Sequence, residues 1–112
     1  MTMSKPKITR IDLRPPVRVA QTAKRGLALR DKFNRGGTHI GVARGRDLKN
    51  RRNLTPETIM RMVSYFARHE VDKLGKDFYN PTKPSNGYIA WLLWGGEPGK
   101  KWANDIKNKL KE

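Results

Sequence analysis

The chain has 112 residues, 25 Lys and Arg against 10 Asp and Glu, and a formal net charge of +15, a size that suits one domain with a modest core. It has no cysteine, which excludes disulfides, thiolate metal sites and cysteine nucleophiles. No apolar run approaches the roughly 20 residues that cross a bilayer, and the first residues lack the apolar segment of a signal peptide. The expected location is therefore the cytoplasm, or a particle assembled there, with no membrane partner.

The charge is uneven. Residues 1–53 hold 15 Lys and Arg against three acids, a net of +12, whereas 54–112 hold 10 against seven, a net of +3. Twelve net charges in 53 residues exceed what solubility requires. Such a field attracts polyanions, chiefly nucleic acids.

The expected architecture is all-α, a single domain of four to five short helices over 17–112 behind a flexible basic arm, 1–16. Pro6, Pro15 and Pro16 forbid a continuous helix in the arm, where Ile8, Ile11 and Leu13 are suited to docking on the domain or forming a short strand. A helix is predicted from Val17 to about Asn34, with Ala20, Ala23 and Leu27 on one stripe and Arg18, Arg25 and Lys32 recurring every seven residues as an outward ridge. Gly26 in its middle weakens the helix and marks a place where another backbone passes close. Gly36-Gly37 stops it.

Thr38 caps a second helix over 39–49, with Ile40, Ala43 and Leu48 expected to pack and Arg44, Arg46 and Lys49 to stay solvated. Leu54-Thr55-Pro56-Glu57 combines a staple, a cap, a first-turn proline and an acid at the positive end of the helix dipole. The helix it opens should run to about Lys73, bury Ile59, Met62, Val63 and Phe66, and form the centre of the core. Ser85 caps the apolar run 88–94, read as a helix although a buried strand has the same pattern. Pro98 opens a last helix that buries Trp102, Ala103, Ile106 and Leu110 and exposes Lys100, Lys101, Lys107, Lys109 and Lys111.

Arg35-Gly36-Gly37-Thr38, the stretch 41–44, Leu54-Thr55-Pro56-Glu57-Thr58, the stretch 64–69, Gly87 to Gly96, and Trp102-Ala103 together resemble a module carried by phages. That module lies beside the protease-like part of phage and prophage head proteins, such as the XkdF-like proteins, and in free-standing small viral proteins. The likeness runs from about residue 24 to 103. It implies a viral gene product in the host cytoplasm or the virion, linked to head assembly or packaged DNA, without an established activity. The protease is not implied, since the chain shows no Ser-His-Asp pattern.

Several motifs invite chemistry and fall short. Arg68-His69-Glu70-Val71-Asp72 suggests a metal or general-base site. Adjacent helical residues diverge by about 100°, so His69 can meet Asp72 but not Glu70, and no His-Glu-x-x-His spacing exists. Gly95 to Lys101 looks like a phosphate loop but has Trp102 where the hydroxyl should stand. Trp91, Trp94 and Trp102 fit a core better than a stacking platform; Phe78 and Tyr79, in a Lys-flanked loop, fit stacking better. Helices 39–49 and 56–73 resemble a helix-turn-helix, but only Glu57, Thr58 and Arg61 are placed to read bases.

The expectation is a non-enzymatic viral protein, without cofactor or metal, that binds nucleic acid, DNA rather than RNA, through phosphates with weak sequence selectivity. The residues expected to make contact are Lys5, Lys7, Arg10, Arg14, Arg18, Lys24, Arg25, Lys32, Arg35, Arg44, Arg46, Lys49, Arg51 and Arg52. The alternatives are a virion or head assembly protein with a viral head partner, and an inhibitor of a host protein complex.

Overall fold

A computed structural model describes residues 11–111. Five α-helices form one all-α globule, with no strand among the described residues. None of these helices is long and apolar enough to cross a membrane.

Helix α1, Val17–Phe33, follows Pro16 in extended conformation and ends at Asn34, which is left-handed with φ 52°. Its inward face is built from Val19, Ala20, Thr22, Ala23 and Gly26, all small, so neighbouring helices come close. A Cβ built on Gly26 would lie 2.8 Å from the Leu93 backbone nitrogen and 2.9 Å from the Leu92 Cβ. The glycine is thus where a second backbone passes.

Helix α2, His39–Lys49, starts at Thr38, whose Oγ1 accepts the Gly41 N–H at 3.1 Å. It buries Gly41, Val42, Arg44, Gly45 and Leu48. The expected packing of Ile40 and Ala43 is corrected: Ile40 is 58% exposed and Ala43 is also on the outside. Gly45 meets Leu93, and Gly41 lies against the Trp94 indole, so the glycine stripe is the contact face and Ile40 is turned away.

Helix α3, Pro56–His69, opens on Thr55, whose Oγ1 accepts the Thr58 N–H at 3.1 Å. It buries Ile59, Met62, Tyr65 and Phe66, with Val63 partly covered. The predicted continuation to Lys73 instead tightens into a 3-10 turn, Glu70–Leu74. In that turn Lys73 sits 2.7 Å from Glu70 and 2.6 Å from Glu97, while Lys100, expected to face water, reaches Glu70 at 2.9 Å.

Helix α4, Asn86–Leu93, is capped by Ser85 Oγ accepting the Tyr88 N–H at 3.1 Å. It touches α1, α2, α3 and the 3-10 turn, as well as the last helix, α5, Gly96–Leu110. The centre of the core is therefore α4 and not α3: Ile89, Trp91, Leu92 and Leu93 are buried, each such side chain contributing about 1.5–3 kcal/mol. Helix α5 begins two residues before Pro98 because Gly95, at φ 112°, turns the chain directly into it. Trp102, Ala103 and Ile106 face inward.

Residues 11–16, read from sequence as part of a mobile arm, are held to the domain. Ile11 and Leu13 pack against the core, Pro15 is buried, the Leu54 N–H donates to the Leu13 carbonyl at 3.1 Å, and Arg51 Nε donates to the Pro15 carbonyl at 2.8 Å.

Hydrogen bonds from Lys73 and Lys100 hold the Glu70 carboxyl below its ordinary range. Burial opposes the Lys73 charge, but hydrogen bonds to Glu70 and Glu97 outweigh it and raise that amine. A lowered folded-state carboxyl adds stability above its unfolded pKa and loses it as pH falls through the folded one. Glu70→Gln should therefore flatten the decline of the melting temperature between about pH 5 and pH 3, read by circular dichroism.

Candidate nucleic-acid interface

The outward face of α1 carries Arg18, Arg25 and Lys32, all exposed. At two turns per step they span about 21 Å of helix. Lys24 is exposed beside them. Arg25 Nη2 donates to the Tyr88 hydroxyl at 3.4 Å, and Lys32 lies 5.4 Å from the Phe33 ring centre.

Helix α2 packs along α1, and the bonds from Leu54 to Leu13 and from Arg51 to Pro15 bring the end of α2 to the start of α1. Arg14 and Arg18 thus share one end of the molecule with Lys49, Arg51 and Arg52. Arg14, Arg18, Lys24, Lys32, Arg46 and Lys49 are exposed, and their side chains enter none of the ion pairs or hydrogen bonds formed among the described residues. Lys5, Lys7 and Arg10 lie outside the described residues.

Four of the nominated cations have internal work. Arg35 donates from Nη2 to the Pro84 carbonyl at 2.9 Å and from Nη1 to Asn86 at 3.1 Å, tying the α1–α2 turn to the start of α4. Arg51, itself left-handed at φ 50°, fastens residues 11–16. Arg52 Nε lies 3.5 Å from Asp47. Arg44, expected to be solvated, is only 9% exposed; its Nη1 meets Asp47 at 2.9 Å and its guanidinium lies 5.6 Å from the Trp94 ring centre. Burial of α2 along its glycine stripe carries this arginine inward.

Because Arg44 Nε already lacks a hydrogen-bond partner, loss of the carboxylate would strand the charge. Asp47→Ala should cost about 1–3 kcal/mol in urea unfolding, and adding Arg44→Met should recover much of the loss, since apolar replacement of a buried pair is often neutral.

A broad groove of about 910 Å³ runs between the start of α2, the outer face of α3 and the start of α4. His69 Nδ1 and Asp72 Oδ2 are 3.0 Å apart in its wall, while Glu70 turns away to Lys73 and Lys100, the divergence expected from helical spacing. The Tyr65 ring stacks between Trp94 and His69, each at 4.5 Å. Its hydroxyl is buried without a hydrogen-bond partner; burial first, then the Asp72 charge, push its pKa up. Ser64 lines the groove without a hydrogen bond to His69 or Asp72. Among the described residues, no group of three His, Cys, Asp or Glu side chains is placed to hold a metal. Tyr65 belongs to no catalytic or binding motif in the sequence, although its position four residues before His69 puts the two rings on one helical face.

Trp91, Trp94 and Trp102 are core residues, at most 9% exposed. The glycine-rich start of α5 is closed to a phosphate: Gly95, Gly96 and Gly99 are buried, with Val19 and Thr22 packed against the first two. Of the two loop aromatics, Phe78 is buried and Tyr79 is 69% exposed. Tyr79, Tyr88, Arg25 and Glu97 help to line a smaller notch of about 330 Å³.

The chain matches no family model, no curated protein and no solved structure.

Proposed function

We propose that the protein is a non-enzymatic viral DNA-binding protein that grips phosphates with α1 and the end of α2 and reads little sequence. The observation that carries this reading is the contrast between its halves. Residues 54–112 nearly balance their ten Lys and Arg with seven acids, and Lys73, Lys100 and Lys101 are paired within that half. Residues 1–53, in contrast, carry a net of +12 and expose, on α1 and at the end of α2, cations such as Arg18, Lys24, Arg25, Lys32, Arg46 and Lys49 that have no acid partner among the described residues. A surface with several unpaired cations gains free energy by releasing the counterions of a polyanion. The viral assignment, the host cytoplasm or virion as location, and a link to packaged genome rest on the resemblance of residues 24–103 to the phage head module.

With Arg14 added to these six, about seven contacts imply that log K for duplex DNA falls against log salt with a slope of roughly −6, and about ten contacts, if Lys5, Lys7 and Arg10 join, roughly −9. Fluorescence anisotropy across a salt series measures this slope. A flat response would contradict the reading.

A second reading, a viral head or host protein partner, has its own support in the broad groove. Ile40, 58% exposed, and Met60, 40% exposed, leave apolar surface there beside Arg61 and Arg68, which are exposed and have no acid partner among the described residues, a combination that suits an acidic, apolar protein segment. Ile40→Asp with Met60→Asp should abolish such an association and leave DNA binding unchanged.

A further inference from the structure

We propose that the notch beside the α1 ridge holds one unpaired nucleobase, so that the protein binds single-stranded nucleic acid in preference to duplex. The inference rests on the reading of the ridge as a phosphate-binding surface and adds what lies next to it.

Tyr79 carries the largest exposed aromatic surface among the described residues, at 69%. One side of its ring is fixed: it stands edge-on to the buried Phe78 at 4.8 Å, and Tyr88 stands edge-on to the same ring at 5.1 Å. The two tyrosines are 6.0 Å apart at an interplanar angle of 59°, so they form the sides of an open wedge and do not fill one another's faces. A base stacking on the free face of Tyr79 would recover the apolar contact that the fold leaves unmade, and any base has a suitable π face.

The polar groups at the notch assign the parts of a nucleotide. Arg25 belongs both to the ridge and to the notch wall, where its guanidinium is oriented by the Tyr88 hydroxyl at 3.4 Å. It therefore sits at the junction of a phosphate track and a base pocket. Glu97 also lines the notch and is held by Lys73 at 2.6 Å. A phosphate would meet that carboxylate; a base edge can donate an amino hydrogen to it. The base goes in and the phosphate stays out, on the ridge.

In duplex DNA the bases are stacked and paired, and reaching the notch would require unstacking at a cost of a few kcal/mol. A single strand has no pairing to break and only weak stacking to give up, so its cost is smaller. The preference follows from where the aromatic surface is, and not from the charge, which serves either form.

The test uses the full chain and fluorescein-labelled DNA of about 12 nucleotides, as a single strand and as the blunt duplex of the same sequence. The single strand should bind more tightly than the duplex. Tyr79→Ala should weaken single-strand binding by roughly five- to hundred-fold and leave duplex binding unchanged, while Tyr79→Trp restores the single-strand affinity. Because Tyr79 is exposed, the variant should melt with the parent protein, as circular dichroism would verify. Equal loss on both forms, or no loss on either, overturns the notch while leaving the ridge in place. No salt-dependent binding to either form removes the ridge and the notch together.

Discussion

Replacing Gly26 with alanine should destabilise the protein by about 2 kcal/mol or more, although the same change in a free helix would stabilise it by about 1 kcal/mol. The Cβ would meet the Leu93 nitrogen at 2.8 Å and the Leu92 Cβ at 2.9 Å. Neither atom is the movable end of a side chain, so α1 and α4 must separate. Overpacking of this kind costs about 1–3 kcal/mol, occasionally more. Since α4 is the element that every other helix touches, the separation would loosen contacts with Ile89, Trp91 and Leu93 together. In thermal unfolding the melting temperature should drop by roughly 10 °C, given about 4–8 °C per kcal/mol for a domain of this size. Ala28→Gly, on the exposed side of the same helix, should lose only the propensity difference of about 1 kcal/mol. Equal effects at the two positions would contradict the packing described.

The second large effect is on binding. Changing Arg18, Arg25 and Lys32 together to glutamine removes three of the proposed phosphate contacts from one face of α1 and should reduce the salt slope by about three. At about 0.1 M salt each contact is worth close to one log unit of affinity, so the triple variant should bind duplex DNA some hundred- to thousand-fold more weakly. All three side chains are exposed, so the fold should remain intact. Lys107, Lys109 and Lys111, at the end of α5, remove the same formal charge when changed to glutamine and serve as the control. If that variant loses as much affinity as the α1 variant, net charge alone governs binding and the ridge has no special place.

What the sequence discloses about this molecule is what local chemistry determines. Thr38, Thr55 and Ser85 each cap the helix predicted for them, because a hydroxyl three residues before an orphan N–H needs no distant partner. Gly26 could be read as a close approach because a glycine inside a good helix former is otherwise a cost. The misreadings lie where a distant partner decides. Ile40 was assigned to the core by hydropathy, but the face of α2 is chosen by the fit of Gly41 and Gly45 against Trp94 and Leu93. The centrality of α4 was hidden for a similar reason: eight residues that are apolar on most sides give no single face to identify a neighbour.

The candidate interface divides in the same way. Heptad spacing alone puts Arg18, Arg25 and Lys32 on one exposed face. Arg35, Arg44 and Arg51 look no different in sequence, yet they hold Pro84, Asp47 and Pro15. A carbonyl that accepts a hydrogen bond from an arginine dozens of residues away leaves no mark on its own residue type. Tyr79 is visible in the sequence as a loop aromatic between lysines, whereas the wedge it makes with Tyr88, and the position of Arg25 beside it, come only from the packing of α1 on α4.

The central claim is that polyanion contact is confined to one side of the molecule, and amide NMR spectra of the labelled protein titrated with duplex DNA test it most directly. The predicted result is that the shifted resonances cluster on Arg14, the outward face of α1 and the end of α2 from Arg46 to Arg52. Shifts confined to residues beyond Leu54, or spread evenly over both halves, would contradict it.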